Sequence, residues 1–297
     1  MPERQPSPDS ETSPDSETSP DSETSPDSEN RPEAERWLEF NRATWDELTP
    51  IHVRSRFYRV DEFKAGIETL HDFELAELPD ISGKDLVHLQ CHFGMDTLGL
   101  ARMGARVTGL DFSAPALDAA RELAAELGIG ARFVEANVYE AREALGETYD
   151  VVYTGKGAIN WLPDLRAWAE VIADLLRPGG VLYLSEFHPL TSMFADNDLT
   201  IEHPYFNEGP HVWDDDRDYA DPEARLENTK TVEWPHPLSE VVTSVIDAGL
   251  SLEFLHEFPE CGFGRFPFLV ESAPRVWITP PEIPNIPMMY SLRATKP

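Results

Sequence analysis

From Lys84 onward, short apolar runs alternate with amphipathic segments. DLVHLQ (85–90) reads as a buried strand, and 96–104 as a helix closed by Gly104. ARVTGLD (105–111) is a second strand. Residues 114–127 form a helix, with Ser113 as its N-cap and Gly128 just past its end. ARFVEA (131–136) and YDVVYTG (149–155) are strands three and four. A helix over 164–176 is stopped by Pro178-Gly179-Gly180, and VLYLSEF (181–187) is strand five. Alternation of this kind predicts a parallel sheet with helices on both faces.

The rhythm breaks after Pro189 for about 45 residues, judged against the usual loop lengths. A helix at 238–248, a strand at 251–258, a proline-rich excursion at 259–287 and a last strand at 288–295 complete the chain. Upstream, 33–48 places Trp37, Phe40, Thr44, Trp45 and Leu48 on one helical face, as a packing helix or as a lid over a cleft.

Residues 7–30 are four copies of Ser-Pro-Asp-Ser-Glu-Thr, the last ending in Asn30. Each copy is acidic and has no apolar residue, so it cannot offset chain entropy and is expected to be disordered. The boundaries expected are a tail at 1–30, a helical lid segment at 31–83, and a sheet domain at 84–297 with insertions at about 189–235 and 259–287.

The 297 residues carry a formal charge of −31, which argues against a nucleic-acid partner. No apolar run approaches the ~20 residues that span a bilayer, and no charged stretch followed by an apolar run suggests a secretory signal. Two cysteines, Cys91 and Cys261, are too few for a disulfide framework or structural zinc, which favours the cytoplasm. His203, His211 and Asp214 to Asp216 form a loose cluster whose spacing matches no metal site, so no metal is expected.

Ligands of open parallel sheets bind at the carboxyl ends of the strands. Asp111 ends strand two, about 20 residues beyond the loop after strand one, where a carboxylate can accept from both hydroxyls of a ribose.

HLQCHFGMDTLGLARMGARVTGLDFSAPAL, then ANVY, YDVVYTGKGAINWLPD and LLRPGGVLYLSE, resembles the class I S-adenosylmethionine-dependent methyltransferases, strongly over 84–188 and more weakly over 236–295. The resemblance implies a doubly wound, Rossmann-like, mostly parallel seven-stranded α/β sheet with a terminal antiparallel strand. Its cofactor is S-adenosylmethionine. Aligned on Asp96, the family's three glycines fall on Gln90, His92 and Gly94, and its acidic residue on His88; only Gly94 is retained. Asn137 matches the residue that bonds the adenine amino group, Val138 packs beside the ring, and Phe112 packs on ribose or adenine. Gly155-Lys156-Gly157 matches the segment lining the methionine arm.

The expected reaction is methyl transfer to a small organic molecule by in-line displacement. Acid–base candidates are His188 and Glu186 at the carboxyl end of strand five, with His256-Glu257 a weaker pair. His52, Tyr58 and Trp161 are candidates to hold the substrate. Two rival readings use the same sheet. One is an NAD-dependent oxidoreductase, disfavoured because G-x-G-x-x-G is missing. The other is a non-catalytic S-adenosylmethionine-binding protein.

Deleting residues 1–30 should leave the thermal unfolding midpoint nearly unchanged, because the repeats offer nothing to dock on a core. A drop of several degrees in calorimetry would show that they do pack.

Overall fold

The computed structural model describes residues 27–206 and 208–297, with side chains from Arg36 onward. The repeat tail through residue 26 therefore lies outside the described residues. Helix α1 (Asp27–Arg54) begins four residues before the expected boundary at 31 and runs six residues past Leu48. Each residue added to an existing helix gains a backbone hydrogen bond without needing an apolar side chain. Two short helices follow, α2 (Val60–Lys64) and α3 (Asp72–Glu77).

The sheet domain then proceeds through β1 (Asp85–Leu89), α4 (Met95–Arg102), β2 (Arg106–Asp111), α5 (Ala114–Leu127), β3 (Ala131–Glu135), α6 (Ala141–Leu145), β4 (Tyr149–Thr154), α7 (Leu165–Leu175) and β5 (Leu176–Phe187). A hairpin, β6 (His211–Asp214) and β7 (Lys230–Glu233), precedes α8 (Leu238–Asp247) and β8 (Ser251–Phe258). Three short strands, β9 (Glu260–Cys261), β10 (Val270–Ala273) and β11 (Val276–Ile278), lead to β12 (Met289–Thr295).

The main sheet has seven strands in the order β3-β2-β1-β4-β5-β12-β8. The first five are parallel, and β12 runs antiparallel to both β5 and β8. The order reverses at β1, which places β1 and β4 at the switch point. Side chains alternate between two cores. Val87, Leu89, Val152, Leu182 and Leu184 pack with Trp168 of α7, whereas Leu86, Val151, Tyr153 and Tyr183 pack on the opposite face. Ser113 caps α5 by accepting from Ala116 N–H at 3.3 Å, and Gly128 takes φ 66°.

Strand five starts earlier than the sequence pattern suggests. Pro178-Gly179-Gly180 lies inside it, as an irregularity between the pairs Tyr149↔Leu176 and Val151↔Val181. Arg177 ties this segment to the sheet, meeting Asp85 at 2.9 Å and Asp150 at 3.0 Å, while Gly179 turns at φ 78°. The two late insertions also hold more structure than expected: the β6–β7 hairpin in one and the β9–β11 sheet in the other. Strands of two to four residues are too short to leave an apolar periodicity to read.

Of the expected face of α1, Thr44 and Leu48 are buried while Trp37, Phe40 and Trp45 are half-buried. The rest of the buried face is polar: Asn41, Thr49 and His52. Asn41 pairs with the backbone of β7 like an added strand residue, donating to Val232 C=O at 2.7 Å and accepting from Val232 N–H at 2.8 Å. Thr44 Oγ1 lies 3.0 Å from the carbonyls of Asn228 and Lys230. No helix among the described residues is long and apolar enough to cross a membrane.

Asn41→Ala leaves two buried backbone groups of Val232 unpaired and should destabilise the protein by about 1–3 kcal/mol in urea denaturation. A change below about 0.5 kcal/mol, the range of neutral surface substitutions, would contradict this docking mode.

Candidate functional site

The loop after β1 has an unusual backbone. Gln90 and His92 take positive φ of 55° and 50°, and Gly94 follows at 77°. For non-glycine residues this region is sparsely populated, so local bonds must hold it. Gln90 Nε2 donates to Ala158 C=O at 2.8 Å, leaving its buried Oε1 without a partner. Gly94 is required by packing as well as by φ: an added Cβ would lie 2.9 Å from Ala120 Cβ and 3.0 Å from Phe133.

Asp111, at the end of β2, organises this loop. Its Oδ2 accepts from His92 N–H at 2.7 Å and its Oδ1 from Ser113 N–H at 2.9 Å. Burial pushes its pKa up to about 6, although the backbone N–H groups favour the ionised form. Beside it lies a cavity of about 380 Å³ lined by Asp111, Phe112, Asn137, Val138, Trp161 and, from α1, Leu38 and Asn41. Asn137 Oδ1 accepts from Tyr139 N–H at 3.1 Å, and Val138 is buried. The strand ends thus bring Asp111, Phe112, Asn137 and Val138 together, and α1 forms part of the wall.

A larger cavity of about 1230 Å³ lies over the ends of β1, β4 and β5. Its walls include Gln90, His92, Gly94, Gly155, Tyr58 and Trp161, together with five tryptophans in all: Trp45, Trp161, Trp213, Trp234 and Trp277. Five of the chain's seven tryptophans thus line this cavity, with charged side chains such as Asp96, Lys156 and Arg275 also among its walls. Trp45 meets Trp161 edge-on, with centroids 5.3 Å apart. Tyr58 Oη lies 2.5 Å from Tyr219 Oη. His88, at the expected acidic position, bonds Thr97 Oγ1 at 2.9 Å, and burial holds its pKa down to about 4. Lys156 meets Glu74 at 2.9 Å and Asp96 at 3.3 Å. Burial raises the Asp96 pKa, but Lys156, Thr69 and His88 together outweigh it and the net value falls to about 2.

The two acid–base candidates sit differently. Glu186 lines the chamber, yet its carboxylate accepts from Gly157 N–H at 2.5 Å, Ala158 N–H at 2.8 Å, Ile159 N–H at 3.2 Å and Phe187 N–H at 2.6 Å. Burial raises its pKa against those bonds. His188 is not among the chamber's walls. Its Nδ1 accepts from Leu190 N–H at 3.0 Å, capping the turn after β5, and its Nε2 meets Glu257 Oε1 of β8 at 2.8 Å, so both ring nitrogens are engaged. His52 is fully buried behind the chamber wall, against His92. His256 instead meets Glu77 at 2.7 Å.

Sequence reasoning missed Asp218 and Arg275. Asp218 is buried at the end of an otherwise exposed acidic run, and nothing in its local pattern distinguishes it from Asp214 to Asp216. Arg275 carries a positive φ of 64° and donates to Tyr58 C=O at 2.7 Å.

A family described as a methyltransferase domain matches residues 87–182. The chain is similar to a ubiquinone biosynthesis O-methyltransferase of Erwinia tasmaniensis, 36% identical over 103 residues, which cover 35% of this chain and 42% of that one. It therefore spans less than half of that relative. In structure it is similar to an S-adenosylmethionine-dependent methyltransferase from Mesorhizobium loti, with 20% identity, a TM-score of 0.56, and coverage of 78% of this chain and 100% of that one. The glycopeptide N-methyltransferase MtfA, solved with S-adenosylmethionine, aligns with 17% identity, a TM-score of 0.50, and coverage of 80% of this chain and 94% of that one. At these identities the two structures speak to fold.

The raised pKa of Asp111 has a signed consequence. Between the unfolded value near 3.8 and the folded value near 6, the native state binds the extra proton, so stability falls as pH rises through that window. Relative to Asp111→Asn, the wild type should lose up to about 3 kcal/mol of unfolding free energy between pH 4 and pH 7. Denaturation of both proteins across that range checks this; a constant difference would contradict it.

Proposed function

Since residues 87–182 form a methyltransferase domain of the class I S-adenosylmethionine-dependent kind, we propose that this protein methylates a small organic molecule held in the aromatic chamber. The observation that carries the reading is continuity: one cavity runs from the loop after β1, through the β4 end at Gly155, to the aromatic walls given by α1 and the two insertions. When bound, S-adenosylmethionine supplies an electrophilic methyl group on a positively charged sulfur.

The residues present fit that cofactor. Asp111 accepts one N–H on each oxygen, and a carboxylate has lone pairs left for the two ribose hydroxyls. Phe112, Val138 and Asn137 line the neighbouring cavity, where a purine would stack and bond. The unpartnered Gln90 Oε1 is an acceptor suited to the ammonium of the methionine arm. In-line displacement demands alignment above all, and side chains on several walls of the chamber are placed to supply it.

In this reading Glu186 holds the Gly157-to-Ile159 loop in shape, and His188 fixes the turn after β5; neither moves a proton. Tyr58 and Trp161 contact the acceptor, and His52 acts from behind the wall. The O-methyl transfer in the relatives' names supports a hydroxyl-bearing acceptor. Aromatic walls and a strongly acidic surface favour a small molecule over nucleic acid. The free, buried thiols of Cys91 and Cys261 suit the cytoplasm.

Titration calorimetry should show binding of S-adenosylmethionine and S-adenosylhomocysteine. Asp111→Ala should weaken that binding by about 1.5–3 kcal/mol, the scale of charge-assisted hydrogen bonds. No heat at millimolar ligand, or binding of NAD in its place, would contradict the proposal.

A further inference from the structure

His92 stands where the resemblance expects a glycine, and its side chain is strapped from outside the loop. Phe93 N–H points to His92 Nδ1 at 2.8 Å. A backbone N–H only donates, so Nδ1 accepts and the ring hydrogen sits on Nε2. That Nε2 faces His52 Nδ1 at 3.0 Å, which must accept in turn. The hydrogen of His52 then lies on its Nε2, which faces Asp218 Oδ1 at 3.1 Å. A neutral imidazole carries one N–H, so the chain has a single solution running from Phe93 N–H through His92 and His52 to Asp218.

The members come from three separate parts of the protein: the loop after β1, helix α1 and the 189–235 insertion. The side chains of His52 and Asp218 are fully buried, and Asp218 Oδ2 is fixed by Asp221 N–H at 2.9 Å. Trp45 closes over both rings edge-on, at 5.7 and 5.1 Å. The end of this chain that matters is the backbone of His92. Its φ of 50° aims the N–H at Asp111, and that conformation is disfavoured for a side-chain-bearing residue unless something restrains it.

We propose that His52 and Asp218 are positioning residues for the cofactor: through His92 they hold the loop in the conformation that engages Asp111, so the late insertion sets cofactor affinity without touching the cofactor. The inference rests on the reading of Asp111 as the ribose-binding carboxylate. It makes the cofactor loop depend on the seating of α1 and the insertion, which also wall the chamber.

Calorimetry with S-adenosylhomocysteine on the full chain tests it, with unfolding midpoints measured in parallel. His52→Ala and Asp218→Ala should each raise Kd about tenfold or more, the effect of cutting one buried hydrogen bond. The double variant should bind no more weakly than His52→Ala, because the chain is already cut. Asp218→Asn, which keeps an acceptor oxygen, should stay near wild type. Unchanged Kd in the folded alanine variants, or losses that simply add, would overturn the proposal. Failure of the wild type to bind overturns the proposed cofactor itself, and this role with it. Should the alanine variants not fold, nitrogen NMR of wild-type imidazoles decides: both rings must be Nε2–H tautomers, and an Nδ1–H form of either refutes the chain.

Discussion

A single buried carboxylate fixes the geometry on which the candidate site depends. Asp111 joins the end of β2 to the loop after β1 through His92 N–H and to the start of α5 through Ser113 N–H. Because β1 and β2 are adjacent and in register, that one side chain aligns a strand end, a loop and a helix start. Its cost is desolvation, visible in a pKa raised to about 6. A charge retained in a dry place at a strand end is more readily explained by a ligand than by stability.

Around this point the protein closes its site with polar stitching. Helix α1 meets the β6–β7 hairpin through Asn41 and Thr44, and meets the loop through His52. Apolar faces can slide with little penalty, whereas paired backbone and imidazole groups admit one register. The wall of the chamber is thus placed by directional bonds, while tryptophan and tyrosine side chains give it its apolar surface.

Much of the sheet was legible because buried parallel strands and capped helices leave strong local marks. Ser113, Gly128 and the run at 85–89 are examples. Asp111, Asn137 and Val138 were legible for a related reason: strand ends in this topology converge, so position along the chain implies position in space. The rest depended on long-range pairing. Nothing near Asp218 reveals that it meets a helix residue 166 positions away. His188 and Glu186 sit at the expected sheet edge, but only three-dimensional bonding shows His188 turned to Glu257 and Glu186 engaged with four backbone groups. The short strands β9 to β11 were hidden because two to four residues are too few to show a hydrophobic period.

The central claim is that the strand ends around Asp111 hold S-adenosylmethionine next to an aromatic acceptor chamber. A crystal structure with S-adenosylhomocysteine tests it most directly. The account predicts both ribose hydroxyls within hydrogen-bond distance of Asp111, the adenine between Phe112 and Val138, and the sulfur facing the chamber beside Trp161. A ligand seated elsewhere, or a ribose that leaves Asp111 bonded only to His92 and Ser113, would contradict it.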